Sequence, residues 1–314
     1  MEKILFLKGD FSEKIWGGSR LKTEYGYDIP SDKTGEYWAI SGMEERSSVI
    51  TNGIYEGESL RNLYQNHKEL FGNPTEENFP LLVKIIDARD DLSIQVHPDD
   101  EMAKRLENSK GKTECWYILN EEPASIIYGL NVDKKEEAIK LIDERKWDEL
   151  LKEKPTKKGD FFFVKAGTVH AIKKGSLILE IQQASDITYR LYDYDRKDKN
   201  GKLRDLHLEK SKEAIKINKD DTKIEEFTKV GLTGKILTEN EYFKVVEMNI
   251  KGACDFVKET NYLLYCVVEG KGEIKIDDES YPIKKGDFFI LTSGCDSYKI
   301  KGEVELIEAL SFCE

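Results

Sequence analysis

The segment Lys157-Lys158-Gly159-Asp160-Phe161-Phe162-Phe163-Val164-Lys165-Ala166-Gly167 recurs later in the chain as Lys284-Lys285-Gly286-Asp287-Phe288-Phe289-Ile290-Leu291-Thr292-Ser293-Gly294. Each copy combines a Gly-Asp turn, a short aromatic strand that we expect to be buried, and a second glycine turn. This combination predicts one corner of a double-sheet jelly roll. Two copies of the corner predict two such barrels in one chain.

The sequence around these corners is rich in predicted strands. Short apolar runs punctuated by glycine dominate, including residues 81–87, 115–119 and 177–181. Helical spacing occurs in two insertions, Ser59 to Leu70 and Lys134 to Lys154, which we extend to about 58–71 and 133–154. The chain is therefore predicted to be mainly β, with two jelly-roll barrels and helical insertions.

Charged segments separate the two copies of the corner. Residues 193–200 and 209–226 are polar and contain many charged side chains. We therefore predict an N-terminal domain over residues 1–219 and a C-terminal domain over residues 220–314.

Length and composition narrow the class of protein. A chain of 314 residues is long enough for two domains, and its net charge of −12 disfavours binding to nucleic acid or to an anionic membrane surface. We find no secretory signal and no run of apolar residues long enough to span a membrane. The five cysteines are odd in number and form no Cys-x-x-Cys motif, which indicates reduced thiols and a cytoplasmic location.

A strand with the sequence Ser93-Ile94-Gln95-Val96-His97 carries the strongest chemical signal. Alternate side chains of a strand share a face, so Ser93, Gln95 and His97 are expected together. Polar residues at alternate positions of a half-buried strand also occur for solvation alone. The scarcity of histidine favours a functional role, because the chain has only four.

Two further segments offer the remaining donors of a metal site. Glu114 and His170 join Gln95 and His97 as nitrogen and oxygen donors, a set that suits a divalent ion such as zinc. The other two histidines, His67 and His207, lie in polar stretches and are expected to be solvated surface groups.

The second copy of the corner lacks this chemistry. When the copies are aligned from Gly159 and Gly286, the position of His170 is occupied by Ser297, and the second copy contains no histidine. We therefore expect one metal ion per chain, held by the N-terminal domain. The C-terminal domain is expected to lack metal ligands.

Several motifs together resemble a known enzyme family. Residues 159–170 resemble the second cupin motif, with Lys165 where that motif usually has proline. A larger set of motifs resembles the type I phosphomannose isomerases in their short bacterial form: Trp16-Gly17-Gly18, Gly35-Glu36-Tyr37-Trp38, Pro80-Leu81-Leu82-Val83-Lys84, Ser93 to Pro98, Lys112 to Glu114, and Ser185-Asp186-Ile187-Thr188-Tyr189-Arg190.

The resemblance implies a function, a cofactor and a ligand set. The reaction would interconvert mannose 6-phosphate and fructose 6-phosphate through a cis-enediolate. The cofactor would be zinc, held by Gln95, His97, Glu114 and His170. The partner would be a small sugar phosphate, and the oligomeric state is left open.

The resemblance also implies roles for individual residues around the ligands. Ser93 and Lys112 match positions that line the sugar-phosphate pocket, and Glu180 matches an acidic pocket residue. Asp186 and Arg190 match the family's Ser-Asp-x-x-x-Arg element. We expect Arg190 to neutralise developing oxyanion charge or to orient the hydroxyls, and we predict that it acts in the transition state.

Two positions depart from the larger members of the family. Arg196 stands where those members place a phosphate-binding lysine, and its guanidinium keeps the charge and adds bidentate geometry. Pairing with Asp193 or Asp195 is the alternative interpretation of Arg196. Gly111 stands where the larger members have a histidine, so a mechanism that uses that histidine cannot operate here.

The identity of the catalytic base is left open. Lys112 shares a strand face with Glu114, and we expect zinc and Arg190 to lower its pKa, which would make it a base. A plain contact to the phosphate or a hydroxyl is an equal alternative for Lys112, and Glu180 is a second candidate for the base. Cys115 points to the opposite strand face and is expected to serve packing.

Two other classes of function are weighed against the isomerase. An iron-dependent cupin oxygenase would use the same two histidines and carboxylate, but such sites normally leave the other positions open. A non-catalytic sugar-binding cupin would bind the ligand without turnover.

Overall fold

A computed structural model describes residues 1–197, 201–219 and 222–312 of the chain. The strands, numbered in chain order, are β1 (Ile4–Lys8), β2 (Asp10–Gly18), β3 (Thr34–Ser41), β4 (Val49–Ile50), β5 (Leu81–Asp87), β6 (Ile94–Val96), β7 (Glu114–Ile118), β8 (Ala124–Leu130), β9 (Leu151–Thr156), β10 (Phe161–Val164), β11 (His170–Ile172), β12 (Leu177–Gln183), β13 (Tyr189–Tyr192), β14 (Glu225–Lys229), β15 (Leu232–Glu239), β16 (Phe243–Val257), β17 (Leu263–Ile276), β18 (Glu279–Lys284), β19 (Phe288–Leu291) and β20 (Ser297–Ser311). The α-helices are α1 (Arg20–Thr23), α2 (Leu60–Asn66), α3 (Asp100–Glu107), α4 (Lys135–Asp143), α5 (Trp147–Leu150) and α6 (Leu208–Ala214).

The strands of the described ranges form three sheets. The largest has the order β14-β15-β16-β20-β17-β19-β1-β4, with β18 pairing to β17. The second has the order β10-β7-β12-β5-β3-β2, and the third has the order β13-β6-β11-β8-β9. The prediction of a mainly β fold is confirmed, and the sheets are consistent with jelly rolls.

The repeated corner has the same backbone geometry in both copies. Gly159 and Gly286 adopt φ of +83° and +90°, a conformation that favours glycine. In each copy the glycine amide donates to the carbonyl of a neighbouring strand residue at 2.9 Å. Asp160 and Asp287 accept the backbone amide three residues earlier, at 3.0 Å and 2.8 Å. The aromatic strand that follows is buried in β19, but Phe161–Phe163 of β10 are only half-buried.

The helical insertions are shorter than the spacing predicts. The first contains α2 and a 3-10 turn over Lys68–Phe71, and the second contains α4 and α5. The prediction of helix over residues 151–154 is wrong, because this segment forms β9 and pairs with β8. Pro155 lies in β9, and proline cannot continue a helix. Helix α3 was not predicted; it begins at Asp100, and the Oδ1 atom of its N-cap residue, Asp99, accepts the amide of Met102 at 2.9 Å.

The chain divides into two compact units. The first comprises Met1–Asp10, Trp38–Val83 and Thr222–Glu314, and the second comprises Phe11–Tyr37 and Lys84–Asp221. These units are not the two consecutive segments that the sequence predicts, because residues 1–10 and 38–83 group with the C-terminal part. The strand β1, for example, pairs with β19. The predicted boundary at residues 219/220 adjoins Asp220 and Asp221, which lie outside the described residues, and it stays a prediction.

The cysteines form no disulfide bond within the described ranges. Cys115, Cys254, Cys266 and Cys295 are free and buried, whereas Cys313 lies outside the described residues. Burial raises the pKa of the Cys115 thiol well above its ordinary value, as its expected packing role requires. Among the described helices, none has the length and apolarity needed to cross a membrane.

Candidate active site

In the second unit, alternate side chains of β6 face the candidate site on one side and the apolar core on the other. Ile94 and Val96 pack into an apolar cluster, which leaves the side chain between them, Gln95, on the opposite face of β6. The antiparallel strand β11 places His170 directly opposite Gln95. Glu114 begins β7 and is fully buried, as is His170.

The four predicted metal ligands lie together. The Nε2 atoms of His97 and His170 are 3.1 Å apart, and the amide of Gln95 lies 3.3 Å from His170 Nε2. One carboxylate oxygen of Glu114 is 3.5 Å from His97 Nε2, and the other is 3.5 Å from His170 Nε2. A half-turn of the Gln95 amide presents its oxygen to the same point.

Hydrogen bonds on the far side of each imidazole fix its tautomer. Nδ1 of His97 donates to the carbonyl of Ile187 at 2.8 Å, and Nδ1 of His170 donates to the carbonyl of Thr168 at 2.9 Å. Burial lowers the pKa of His97 well below its ordinary value and that of His170 to about 4, so both rings are neutral at pH 7. Each ring therefore turns the lone pair of Nε2 toward the other.

The carboxylate of Glu114 supplies the charge of this cluster. Both of its oxygens are buried without a hydrogen bond of acceptable geometry, although the Lys112 ammonium lies 2.9 Å away as an ion pair. The Lys112 ammonium, which also lies 3.3 Å from His97 Nε2, offsets part of the carboxylate charge, and a divalent cation between the carboxylate and the two lone pairs would offset the rest. The donor set therefore fits a divalent metal ion. Of the residues that the structure describes, His97, Glu114 and His170 form the only such cluster.

A cavity of about 280 Å³ opens beside these ligands. Five cationic side chains line it, together with three carboxylates and several neutral groups. The charged lining residues are Lys14, Lys84, Lys112, Arg190 and Arg204, with Glu36, Glu180 and Asp186. Ser93 and Gln95 also line the cavity. Its size and its excess of positive charge suit a small anionic ligand.

Lys112 is buried among carboxylates. Burial by itself lowers its pKa, but the charges of Glu114, Glu180 and Asp186 outweigh this and hold the pKa above its ordinary value. The neighbouring carboxylates therefore raise the pKa of Lys112, whereas the sequence predicts that it is lowered. A bound cation would add to the effect of burial in the predicted direction.

Glu180 occupies the wall of the cavity. Its Oε2 accepts a hydrogen bond from the indole nitrogen of Trp116 at 3.0 Å, and its Oε1 lies 3.8 Å from the ammonium of Lys84. The same ammonium lies 3.6 Å from Asp186. Burial, then the charge of Glu114, raises the pKa of Glu180.

Arg190 is held in the cavity by three contacts. Its Nε donates to the hydroxyl of Ser93 at 3.3 Å, and its Nη1 donates to the carbonyl of Asp205 at 2.8 Å. Its backbone amide donates to Nδ1 of His207 at 3.2 Å, and the amide of His207 donates back to the carbonyl of Arg190 at 2.8 Å. The prediction that His207 is a solvated surface group is therefore wrong. His207 is half-buried and fixes the backbone of a cavity residue.

Arg196 does not line this cavity. Its guanidinium is engaged by Asp193 and by the carbonyl of Asp91, and it lies over the ring of Tyr194 at 5.1 Å. The pairing with Asp193, which the sequence left as an alternative, is the arrangement that the structure shows. A role for Arg196 in substrate binding therefore depends on the resemblance alone.

Gly111 lies where the chain leaves no room for a side chain. A Cβ atom on Gly111 would be 2.6 Å from the backbone nitrogen of Asp100 and 2.6 Å from the carbonyl carbon of Asp99. The amide of Gly111 donates to Asp100 Oδ1 at 2.7 Å. A histidine at this position would require the backbone of Asp99 and Asp100 to move.

Sequence reasoning did not assign several cavity residues. Trp16, Glu36, Lys84 and Thr188 belong to motifs that carry the resemblance, but no role was assigned to them, and Lys14 and Arg204 were missed altogether. Lys84 had a usable signal, since it is a lysine within the otherwise apolar run of residues 81–86. Arg204 lies outside every strand and helix, so no periodic pattern points to it.

Comparisons with known proteins agree with this geometry. Residues 4–143 match the family model described as phosphomannose isomerase type I, catalytic domain, and residues 233–311 match that of the mannose-6-phosphate isomerase cupin domain. The chain is 46% identical over 313 residues to the mannose-6-phosphate isomerase of Streptococcus mutans, covering 99% of each chain.

Relatives from Bacillus subtilis give the same result. The chain is 47% identical over 307 residues to the mannose-6-phosphate isomerase ManA of that organism, covering 96% of this chain and 97% of the relative. The crystal structure of the mannose 6-phosphate isomerase from Bacillus subtilis superposes with a TM-score of 0.95 at 42% identity, covering 98% of this chain and 100% of that one. The chain therefore belongs to the type I phosphomannose isomerase family.

Proposed function

We propose that this protein interconverts mannose 6-phosphate and fructose 6-phosphate through a cis-enediolate. The observation that carries the proposal is the placement of three buried metal-ligating side chains beside a small cationic cavity. The family assignment supports the same substrate pair.

We propose zinc as the metal ion, one per chain. Gln95, His97, Glu114 and His170 would hold it, because three neutral donors and one carboxylate suit this borderline ion. When bound, zinc supplies Lewis-acid polarisation of oxygen without redox chemistry. A neutral amide ligand in place of a second carboxylate leaves the ion more electrophilic.

Arg190 is proposed to stabilise the negative oxygen that develops as the proton next to the carbonyl is removed. Its contacts to Ser93 and to the carbonyl of Asp205 hold the guanidinium in the cavity before substrate arrives. Such preorganised donors stabilise charge without reorganising during the reaction. Ser93 and Asp186 are proposed to bind the sugar hydroxyls, because both line the cavity.

The proton transfer is proposed to involve Lys112, with Glu180 as the second candidate. Lys112 lies 2.9 Å from Glu114 and lines the cavity, so it can contact the reacting end of a sugar. Glu180 lines the same cavity, and its raised pKa makes it a stronger proton acceptor than an ordinary carboxylate. The pH–rate profiles of the Lys112→Gln and Glu180→Gln variants are compared with the wild-type profile. Loss of the acidic or the basic limb of that profile in one variant assigns the limb to the substituted residue.

The test is a coupled assay for fructose 6-phosphate formation by the purified protein, with and without a chelator. We expect turnover that the chelator abolishes and that added zinc restores. Metal analysis and oxygen uptake are measured on the same sample. Oxygen consumption with bound iron would identify an oxygenase, and sugar binding without turnover in the zinc-loaded protein would identify a binding protein.

We also propose a cytoplasmic location and a metal site that is confined to the N-terminal domain. Four free, buried cysteines are compatible with a reducing compartment. The C-terminal domain, predicted over residues 220–314, is proposed to carry no metal.

A further inference from the structure

The cavity lining includes Ser93, which precedes β6, whereas the metal-ligand candidate His97 follows it. In the antiparallel pair of β6 and β13, Arg190 lies opposite Gln95 and Tyr192 lies opposite Ile94. The chain that leaves β13 at Asp193 therefore runs toward Ser93, while His97 lies beyond the other end of β6.

Asp193 holds two arginines. Its side chain is buried, with 5% of its surface exposed, and its carboxylate pairs with both Arg196 and Arg204. The Oδ2 atom accepts from Arg204 Nε at 2.6 Å, and Oδ1 accepts from Arg204 Nη2. This bidentate pair fixes the plane of the Arg204 guanidinium.

The two arginines differ in the donors that remain. Arg196 uses Nε, Nη1 and Nη2 for contacts with Asp193 and Asp91, and it does not line the cavity. Arg204 uses only Nε and Nη2, both on Asp193, and its guanidinium makes no other hydrogen bond to a described residue. Because a guanidinium has five N–H groups, Nη1 and one N–H of Nη2 remain available in a residue that lines the cavity.

We propose that Arg204 binds the phosphate group of the substrate and that Asp193 is its positioning residue. This inference rests on the proposed function, which supplies the sugar phosphate. Arg204 lines the same cavity as Ser93 and Arg190, so its remaining N–H groups lie in the space that receives the sugar phosphate. Arg196 then has a structural role: it shares Asp193 and anchors the segment that follows β13.

The experiment measures kcat and KM of the zinc-loaded enzyme for mannose 6-phosphate, and the Kd of inorganic phosphate by calorimetry. Loss of charge-assisted hydrogen bonds in Arg204→Gln should raise KM and the phosphate Kd by about ten- to a hundredfold, with kcat changed less than about threefold. Asp193→Asn should raise KM in the same direction while leaving kcat near the wild-type value. Arg89→Gln, at an exposed arginine that pairs with Asp90, is the matched control.

The Arg196→Gln variant decides between the two arginines. We expect it to lower the melting temperature more than it raises KM. A tenfold rise of KM in Arg196→Gln with an unchanged KM in Arg204→Gln would overturn the proposal. Unchanged phosphate affinity in Arg204→Gln would overturn it as well.

A chemical measurement on the wild-type protein covers the case in which Arg204→Gln does not fold. Phenylglyoxal modifies accessible arginines, and mass spectrometry locates the adducts. Inorganic phosphate should protect Arg204 and leave Arg196 and Arg89 unprotected, and equal labelling of Arg204 with and without phosphate would refute the assignment. Wild-type protein that binds phosphate at Arg204 but never isomerises mannose 6-phosphate would refute the proposed function and leave the phosphate site intact.

Discussion

His170 lies directly opposite Gln95 in the antiparallel pair of β6 and β11, and the two side chains meet within 3.3 Å. Strand register alone therefore brings together residues that are far apart in sequence. A slip of one residue would turn Gln95 toward the apolar cluster that Ile94 and Val96 occupy. The candidate metal site depends on this register as much as on the ligands.

We expect the His97→Ala, His170→Ala double variant to lose the metal ion and the activity together while the chain stays folded. Metal binding needs both imidazoles, whereas the apolar clusters of the second unit involve neither side chain. Mass spectrometry measures the metal content, and the circular dichroism spectrum shows whether the chain stays folded. His67→Ala is the matched control, and stoichiometric zinc in the double variant would contradict the assignment.

Arg190→Lys should lower kcat about a hundredfold or more while changing KM only a few-fold. A lysine keeps the charge but loses the paired contacts to Ser93 and the Asp205 carbonyl that aim the guanidinium. Steady-state kinetics on mannose 6-phosphate separate the two parameters. A rise in KM alone would mean that Arg190 only binds the substrate.

His207→Ala should lower kcat about two- to tenfold, because the amide of Arg190 loses its hydrogen-bond acceptor. His207→Asn should recover most of this loss, since its side-chain oxygen can replace Nδ1 as acceptor. The control variant is His67→Ala, because His67 lies outside the second unit. Equal kcat in wild type and His207→Ala would show that the backbone of Arg190 needs no such support.

Gly111→Ala should destabilise the protein by roughly 1–3 kcal/mol, because a Cβ atom would overlap the backbone of Asp99 and Asp100. Urea unfolding of the two proteins gives the difference in free energy. A larger side chain such as that of Gly111→His should cost more and should not add a proton carrier. Wild-type stability of Gly111→His would show that the loop can move aside.

Stability should also depend on pH through Glu308. Burial raises the pKa of this carboxyl above its ordinary value of 4.5, against the opposing hydrogen bond from Tyr265. The folded chain therefore keeps a proton that the unfolded chain releases, so the free energy of unfolding falls as pH rises from 4.5 through the raised pKa. Urea unfolding between about pH 4.5 and 8 should show a smaller decline for Glu308→Gln than for wild type. The exposed Glu259→Gln variant should follow the wild-type curve.

The features that sequence predicted well are those that local geometry determines. The Gly-Asp corner is specified by a positive φ at Gly159 and Gly286 and by hydrogen bonds that span three residues, so the pattern and the structure coincide. Alternation along β6 is equally local, and it correctly separates Gln95 from Ile94 and Val96.

The features that sequence missed depend on long-range packing. Arg204 and His207 follow β13 in an irregular segment, and only the folded chain brings them to the cavity and to Arg190. Arg196 carried the right chemistry at the expected spacing, but Asp193 draws its guanidinium away from the cavity lining. A spacing rule cannot tell which of two nearby arginines a shared carboxylate will leave with free donors.

The pairing of β1 with β19 affects when the largest sheet can form during translation. Ile4 lies opposite Leu291, so β1 is synthesised long before the strand with which it pairs. Until then its only partner in the largest sheet is β4, through two residue pairs. At bacterial and eukaryotic synthesis rates the delay is roughly 15 to 60 s, during which an apolar edge stays open. A chain truncated before β19 therefore lacks the strand that joins β1 to the rest of the largest sheet.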